Sequence, residues 1–264
     1  MSEELRIQIY TSGLLPPTLL LVMLILVEVG WQTGRIAFAQ TEDKKIPNDK
    51  TLISAIFGLL ALLVAFMFSG AANRFDERRQ LIVEEVRAID SAHMTLDLLP
   101  KEQQPVIRQL FLSYVDHRIA LYQNMRDQDG FEKRLHEQTE EGKQLWQASL
   151  QVVRETNGSE QSLAAQILPA MAKMIDAVET ARLALKFHPP HIMWESLMLL
   201  ALIGSFLSGY NSGIQQKRDW LGIIVFAVLL AGAVYIILNI EYPRLGSVNL
   251  NGFDQELIIL RKTM

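Results

Sequence analysis

No cysteine occurs anywhere in the sequence, which excludes disulfides, thiolate nucleophiles, Cys-ligated zinc and iron–sulfur clusters. A Gly-x-Ser-x-Gly elbow, a P-loop, an HExxH motif and a Gly-rich strand-to-helix fingerprint are missing too, so no residue pattern asks for an enzyme or a cofactor. Charge of positive sign is short: the net charge of -4 gives no basic face for nucleic acid. Aromatics make up 8% and charged residues 20% of the chain, yet half of it is hydrophobic, so the apolar content must sit in aliphatic and small residues.

Those apolar residues are clumped, which is how a membrane protein differs from a soluble one of this length. Thr51 to Asn73 runs 23 residues without a charge, and roughly 20 suffice to cross a bilayer core. It passes without a Gly-Pro break into Arg74-Phe75-Asp76-Glu77-Arg78-Arg79, so one helix is expected to leave the membrane and continue into water. Ser54, Gly58, Ala61, Ala65 and Ser69 recur at spacings of 4, 3, 4 and 4, which puts the small side chains on one face. Lipid offers no hydrophobic drive for helix association, so such a face invites close helix contact. The contact could be with copies of the chain around an axis or with another span of the same chain.

The first membrane segment is expected over 7–34, its regular helix opening at Pro16 and Pro17, whose missing N–H groups cost little in a first turn. A rival reading is a signal peptide cut near Ala37-Phe38-Ala39; the start is not basic, and Glu28 and Arg35 interrupt the approach to that site. Further spans are expected over 191–214, after Pro189-Pro190, and over 219–240, with Trp220 and Tyr242 as interfacial anchors and a tail over 241–264.

Between the second and third spans, residues 74–188 show helical periodicity with charges between the apolar positions. Breaks fall at Leu98-Leu99-Pro100, at the turn Asp127-Gln128-Asp129-Gly130, and at Asn157-Gly158 with Ser159 as a helix N-cap. The fold class is therefore all-α: four transmembrane helices with a water-facing helical bundle inserted between spans 2 and 3. Ten Lys and Arg flank the spans on the side of the termini and the insert, against six on the other, which places the insert and both termini in the cytoplasm.

Glu28, Glu195 and Glu241 lie at span edges, while no basic residue lies inside a span. Carboxylates lining an entrance would favour cations; Glu28 can equally snorkel or pair, and Glu241 can pair with Arg244. Phe57, Phe66 and Phe68 on the second span are candidate gate rings, with lipid contact or packing as the other use of such side chains. Asp90 with His93, and His188 with His191, could each ligate a metal, but neither pair brings a third ligand, so no metal site is expected. Glu84 and Glu85 with Arg78, Arg79 and Arg87 read as a solvated charge network on a helix.

At Phe68-Ser69-Gly70-Ala71-Ala72-Asn73-Arg74-Phe75-Asp76-Glu77-Arg78-Arg79, then Val83-Glu84-Glu85 and Leu96-Asp97-Leu98-Leu99-Pro100, the chain resembles the bestrophin-like bacterial membrane family. The likeness extends over Glu28-x-Gly30-x-x-x-Gly34, Tyr114-Val115-Asp116, Met174-Ile175-Asp176, Ser205-Phe206-Leu207-x-Gly209-Tyr210 and Tyr242-Pro243-Arg244-x-Gly246. It implies four spans, long helices continuing into the cytoplasm, a bacterial inner-membrane location and a ring of subunits, such as a pentamer, around a central path for an inorganic ion. It also implies aromatics of the second span at the constriction. The acidic calcium cluster of animal bestrophins is reduced here to Asp254 and Glu256, which leaves calcium gating and anion selectivity without support. The function expected is a homo-oligomeric ion channel lined by the second span; the other class consistent with the sequence is a non-conducting membrane scaffold or signalling protein acting through its helical insert.

Overall fold

Pro16 and Pro17 sit in the first turn of α1 (Leu15–Gln40), where a helix has backbone N–H groups to spare. The computed structural model describes residues 13–40, 50–123, 128–156, 158–185, 187–218, 220–243 and 251–264, and all regular structure among them is helical. After α1 come α2 (Lys50–Thr95), a 3₁₀ turn at Leu96–Leu98, α3 (Gln104–Gln123), α4 (Gln128–Glu155), α5 (Ser159–Ala164), α6 (Ile167–Ala184), α7 (His191–Ile214), α8 (Trp220–Glu241) and α9 (Asn251–Thr263). The helices α1, α2, α7 and α8 are each long and apolar enough to cross a membrane. The loop 41–49, with Lys44 and Lys45, and the Tyr242-Pro243-Arg244-x-Gly246 motif beyond Pro243 lie outside the described residues.

Contacts divide the chain into two units, Met1–Arg74 with His188–Ser247, and Phe75–Phe187 with Val248–Met264. In the first, Leu19 and Met23 of α1, Leu60 and Met67 of α2, Trp194 and Leu197 of α7, and Leu230 and Val234 of α8 share one core. The closest approach is between α1 and α7. Gly30 and Gly34 face Gly209 and Gly213, so each helix presents a Gly-x-x-x-Gly pair to the other. A Cβ at Gly30 would stand 2.2 Å from the Phe206 carbonyl oxygen, and one at Gly209 would stand 2.0 Å from that of Val27. Only glycine permits this backbone contact, which also lets Cα–H groups meet carbonyl oxygens.

α7 ends in a Schellman motif: the Lys217 N–H donates to Ser212 O at 3.2 Å and the Gln216 N–H to Gly213 O at 3.2 Å. The motif needs a left-handed residue, and Gln216 supplies it at φ 53°.

In the second unit, Ile89 and Ala92 of α2, Phe111 and Val115 of α3, Leu145 of α4, Met171 and Met174 of α6 and Leu257 of α9 form the core. Arg261 ties α9 down, donating to both Asp116 oxygens at 2.7 and 2.8 Å. Two expected boundaries shift. Gln128 to Gly130 belong to the first turn of α4 rather than to a turn, and Gly158, at φ 72°, takes the N-cap position expected of Ser159, which opens α5. α5 then stops after six residues, because the ring of Pro169 would collide with the carbonyl four residues back, and α6 starts afresh at Ile167.

Candidate functional site

α2 has two unlike sides. Leu60, Met67 and Ala71 recur at helical spacing and are buried against the rest of their unit. Ser54, Gly58, Ala61, Ala65 and Ser69 fall on the opposite side by the 3.6-residue period, and all five are exposed. A Cβ at Gly58 would meet nothing within 4 Å. Only 11% of the apolar window of this span is buried, against 28% for α1 and 33% for each of α7 and α8. Among the described residues, therefore, no other span of the same chain covers the small-residue stripe.

The three phenylalanines part company. Phe66 and Phe68 flank the open face at 61% and 46% exposure. Phe57 is drawn into the bundle, its ring centroid 4.6 Å from that of Phe226 and its edge against Gly204. A bulky ring that fills the hollow over a glycine is a packing residue, so Phe57 does not stand with the other two.

The span-edge carboxylates part in the same way. Glu28 accepts from Arg218 at 3.2 Å and from Gln32 at 3.0 Å, while Arg218 lies over the Trp31 ring at 3.4 Å. Glu195 is exposed on α7. Glu241 is fully buried: Arg74 donates to both its oxygens, Nε at 3.0 Å and Nη2 at 2.6 Å to Oε2, and His188 Nδ1 stands 3.1 Å from Oε1. A carboxylate so enclosed closes the end of the unit and offers nothing to a passing ion. Its partner is thus Arg74 of α2, whereas Arg244 lies outside the described residues. The signal was there: Arg74 and Glu241 are the first charges after two charge-free runs that end on one side of the bilayer. Tyr242, expected as an interfacial anchor, is buried and stacked on His188 with centroids 4.6 Å apart; Trp220 is exposed.

Inside this unit α7 borders a hollow. Ser205, Ser208 and Ser212 line a cavity of about 230 Å³ with Phe57, Phe226 and Met23. Ser205 donates to Ala201 O at 2.7 Å and Ser212 to Ser208 O at 2.9 Å, so both protons are used inside the helix.

The charge network on the lower part of α2 is only half solvated. Arg79 pairs with Asp76 at the surface, and Glu84 and Arg87 are exposed. Glu85 is completely buried, accepting from Arg118 Nε at 2.7 Å, Arg118 Nη2 at 2.9 Å and the Tyr122 hydroxyl at 2.6 Å. Arg78 is buried as well and donates to the carbonyls of Ala184 and Phe187. Burial with good geometry, which spacing along α2 could not reveal, converts these two from surface charges to structural ties. Among the described residues no His, Asp and Glu cluster could hold a metal ion; His93 Nε2 instead lies 3.2 Å from Arg108 Nη1.

Comparison with known proteins agrees with this frame. The family model of the bestrophin-like domain matches residues 31–251. A crystal structure of a point-substituted bacterial bestrophin homologue from Klebsiella pneumoniae superposes with a TM-score of 0.55 at 17% identity, covering 91% of this chain and 98% of that one. Among curated proteins there is no match. Four apolar helices in the observed order, with a family match across most of the chain, make this a membrane protein, and the chain belongs to the bestrophin-like family.

Proposed function

We propose that the chain is the subunit of a homo-oligomeric ion channel whose axis is lined by the small face of α2. The observation that carries this reading is the exposure of Ser54, Gly58, Ala61, Ala65 and Ser69 on the side of α2 opposite its buried face. Small residues let several copies of one helix approach an axis and leave a bore between them, whereas a helix meant only for lipid gains nothing from them. Phe66 and Phe68 border that bore as gate candidates, and Phe57 acts behind them as packing. Glu28 and Glu241 are engaged by Arg218 and by Arg74 with His188, which leaves Glu195 as the carboxylate to vary when charge selectivity is tested. The ring of subunits, a pentamer in one form, sits in a bacterial inner membrane with the second unit and both termini in the cytoplasm.

Mass photometry of the detergent-solubilised protein gives the subunit number; a strictly monomeric particle removes the shared axis. Reconstitution into liposomes with an ion-flux dye then tests conduction. Phe66→Ala with Phe68→Ala is expected to raise flux severalfold by removing the rings at the constriction, and unchanged flux would take the gate away from them. An oligomer that passes neither cations nor anions would instead favour a membrane-anchored scaffold.

A further inference from the structure

Between α3, α4 and α6, all within the second unit, lies a pocket of about 650 Å³. Its origin is readable in the residues. Gly142 of α4 and Ala172 of α6 leave the two helices without bulk where they face each other, and the Tyr114 ring fills only the floor, 3.2 Å from where a Gly142 Cβ would be. Leu135, Trp146, Ile175 and Val178 make the walls apolar. The volume falls in the range of sites that take small organic molecules, roughly 300 to 1,000 Å³.

One polar group is left over. Gln138 lines the pocket and is only 3% exposed, yet its amide nitrogen makes no hydrogen bond of good geometry, only a weak one toward the Tyr114 hydroxyl. Burial holds that phenol well above its usual range, so the hydroxyl stays neutral. An amide nitrogen has two N–H groups to place, so at least one stays open even if Tyr114 accepts the other. A buried donor without an acceptor is costly, and ligand sites are where such a donor is retained. Both cations at the rim are paired, Arg182 with Glu179 at 2.7 Å and Lys143 with Glu140 at 2.7 Å, and the remaining rim charge, the Asp176 carboxylate, is exposed to water. No unpaired cation in the lining calls for an anion.

We infer that this pocket binds a neutral, largely apolar small molecule through a carbonyl-type acceptor on the Gln138 amide, with its apolar body between Trp146 and Ile175. The site is separate from any ion path along α2 and does not depend on conduction. Occupancy would tie α3, α4 and α6 together, which makes it a place for a regulatory ligand.

Benzophenone is a suitable probe, because it is neutral, apolar and carries a ketone. Under near-ultraviolet light the excited ketone takes a hydrogen atom from a neighbouring C–H, and the two carbon radicals join. With the full chain in lipid nanodiscs, saturable labelling is expected in peptides from 128–155 and 167–184, beside non-saturable labelling of the spans. Gln138→Met should raise the half-saturating concentration about tenfold, the effect of one hydrogen bond. Ala172→Trp, at an exposed position, should fill the pocket and abolish the saturable labelling while thermal unfolding stays as in the wild type. Labelling confined to the spans, or unchanged in both variants, would overturn the proposal. So would a change of subunit number in Ala172→Trp, which would make this face a contact between copies.

Discussion

Alanine placed at Gly209 separates the fold from the function more sharply than any other single change. The new Cβ would lie 2.0 Å from the Val27 carbonyl oxygen, where ordinary contact begins at 3.4 Å, so α1 and α7 must part by roughly 1 Å or more. A gap of that size forfeits a quarter to a half of each van der Waals contact along the seam, and overpacking of this kind costs about 1–3 kcal/mol. Gly30→Ala meets the Phe206 carbonyl at 2.2 Å in the same seam. Once the helices have moved for one Cβ the other needs little more room, so the double variant should cost well under the sum of the singles. Gly58→Ala is the internal control. It has no neighbour within 4 Å in its own chain, and alanine is the better helix former by about 1 kcal/mol. Reversible unfolding in lipid bicelles, followed by steric trapping, reads all four. If Gly209→Ala were as harmless as Gly58→Ala, the interlocked seam would not be what holds α1 to α7.

Three further outcomes follow from charges and backbone geometry. Glu85→Gln leaves Arg118 charged in a fully buried site, and should cost about 3–5 kcal/mol in chemical denaturation; a loss under about 1 kcal/mol would mean water reaches the pair. Arg74→Met takes from buried Glu241 its guanidinium partner and leaves only weaker ones such as His188, so adding Glu241→Gln should recover part of the lost melting temperature, and a second substitution that only worsens it would refute the pairing. Gln216→Gly frees a left-handed position from its side-chain penalty and should stabilise by about 0.5–1 kcal/mol, read as a rise in melting temperature; a fall would show that the Gln216 side chain makes a contact worth more.

How far the sequence could be read depended on whether a property was local. The bilayer imposes a length and a composition, so Thr51–Asn73 and the run from Trp220 announce themselves without any partner. The small stripe of α2 was legible as a face, because 3.6 residues per turn fixes which residues share it. What it faced was not, because Ser54 and Gly58 look the same whether their neighbour belongs to the same chain or to another copy. Charges were hardest. Glu84 and Glu85 are adjacent and identical, yet one is in water and the other is sealed beneath Arg118 and Tyr122. That difference is set by α3, some thirty residues away, and no spacing within α2 contains it. Between gate ring and packing, the two uses open to Phe57, spacing could not choose for the same reason, since the hollow it fills is made by Gly204 on α7.

The exposed surface of the first unit is of two kinds, and the contrast bears on function. On α8 the outward side chains are large: Leu221, Ile224, Val225, Val228, Leu229 and Ile236. Large aliphatic groups mix with lipid tails at no cost, so that face asks for nothing more. On α2 large side chains such as Leu52, Leu59 and Leu62 are outward too, but beside them runs a continuous small stripe, and small residues in lipid expose the helix backbone without offering it packing; next to copies of the same helix they are favoured. The absence of cysteine turns this contrast into a direct measurement, because every introduced thiol is unique. Cysteine at Ser54, Ala61 and Ser69 should react with a charged, membrane-impermeant methanethiosulfonate, and the modification should lower flux, whereas cysteine at Val225 and Leu229 should stay unreactive. A thiol shielded from water ionises poorly and reacts slowly, so a difference of at least about tenfold in rate separates an aqueous bore from lipid. Equal silence at all five positions would put the small face of α2 in lipid and leave the channel without a wall.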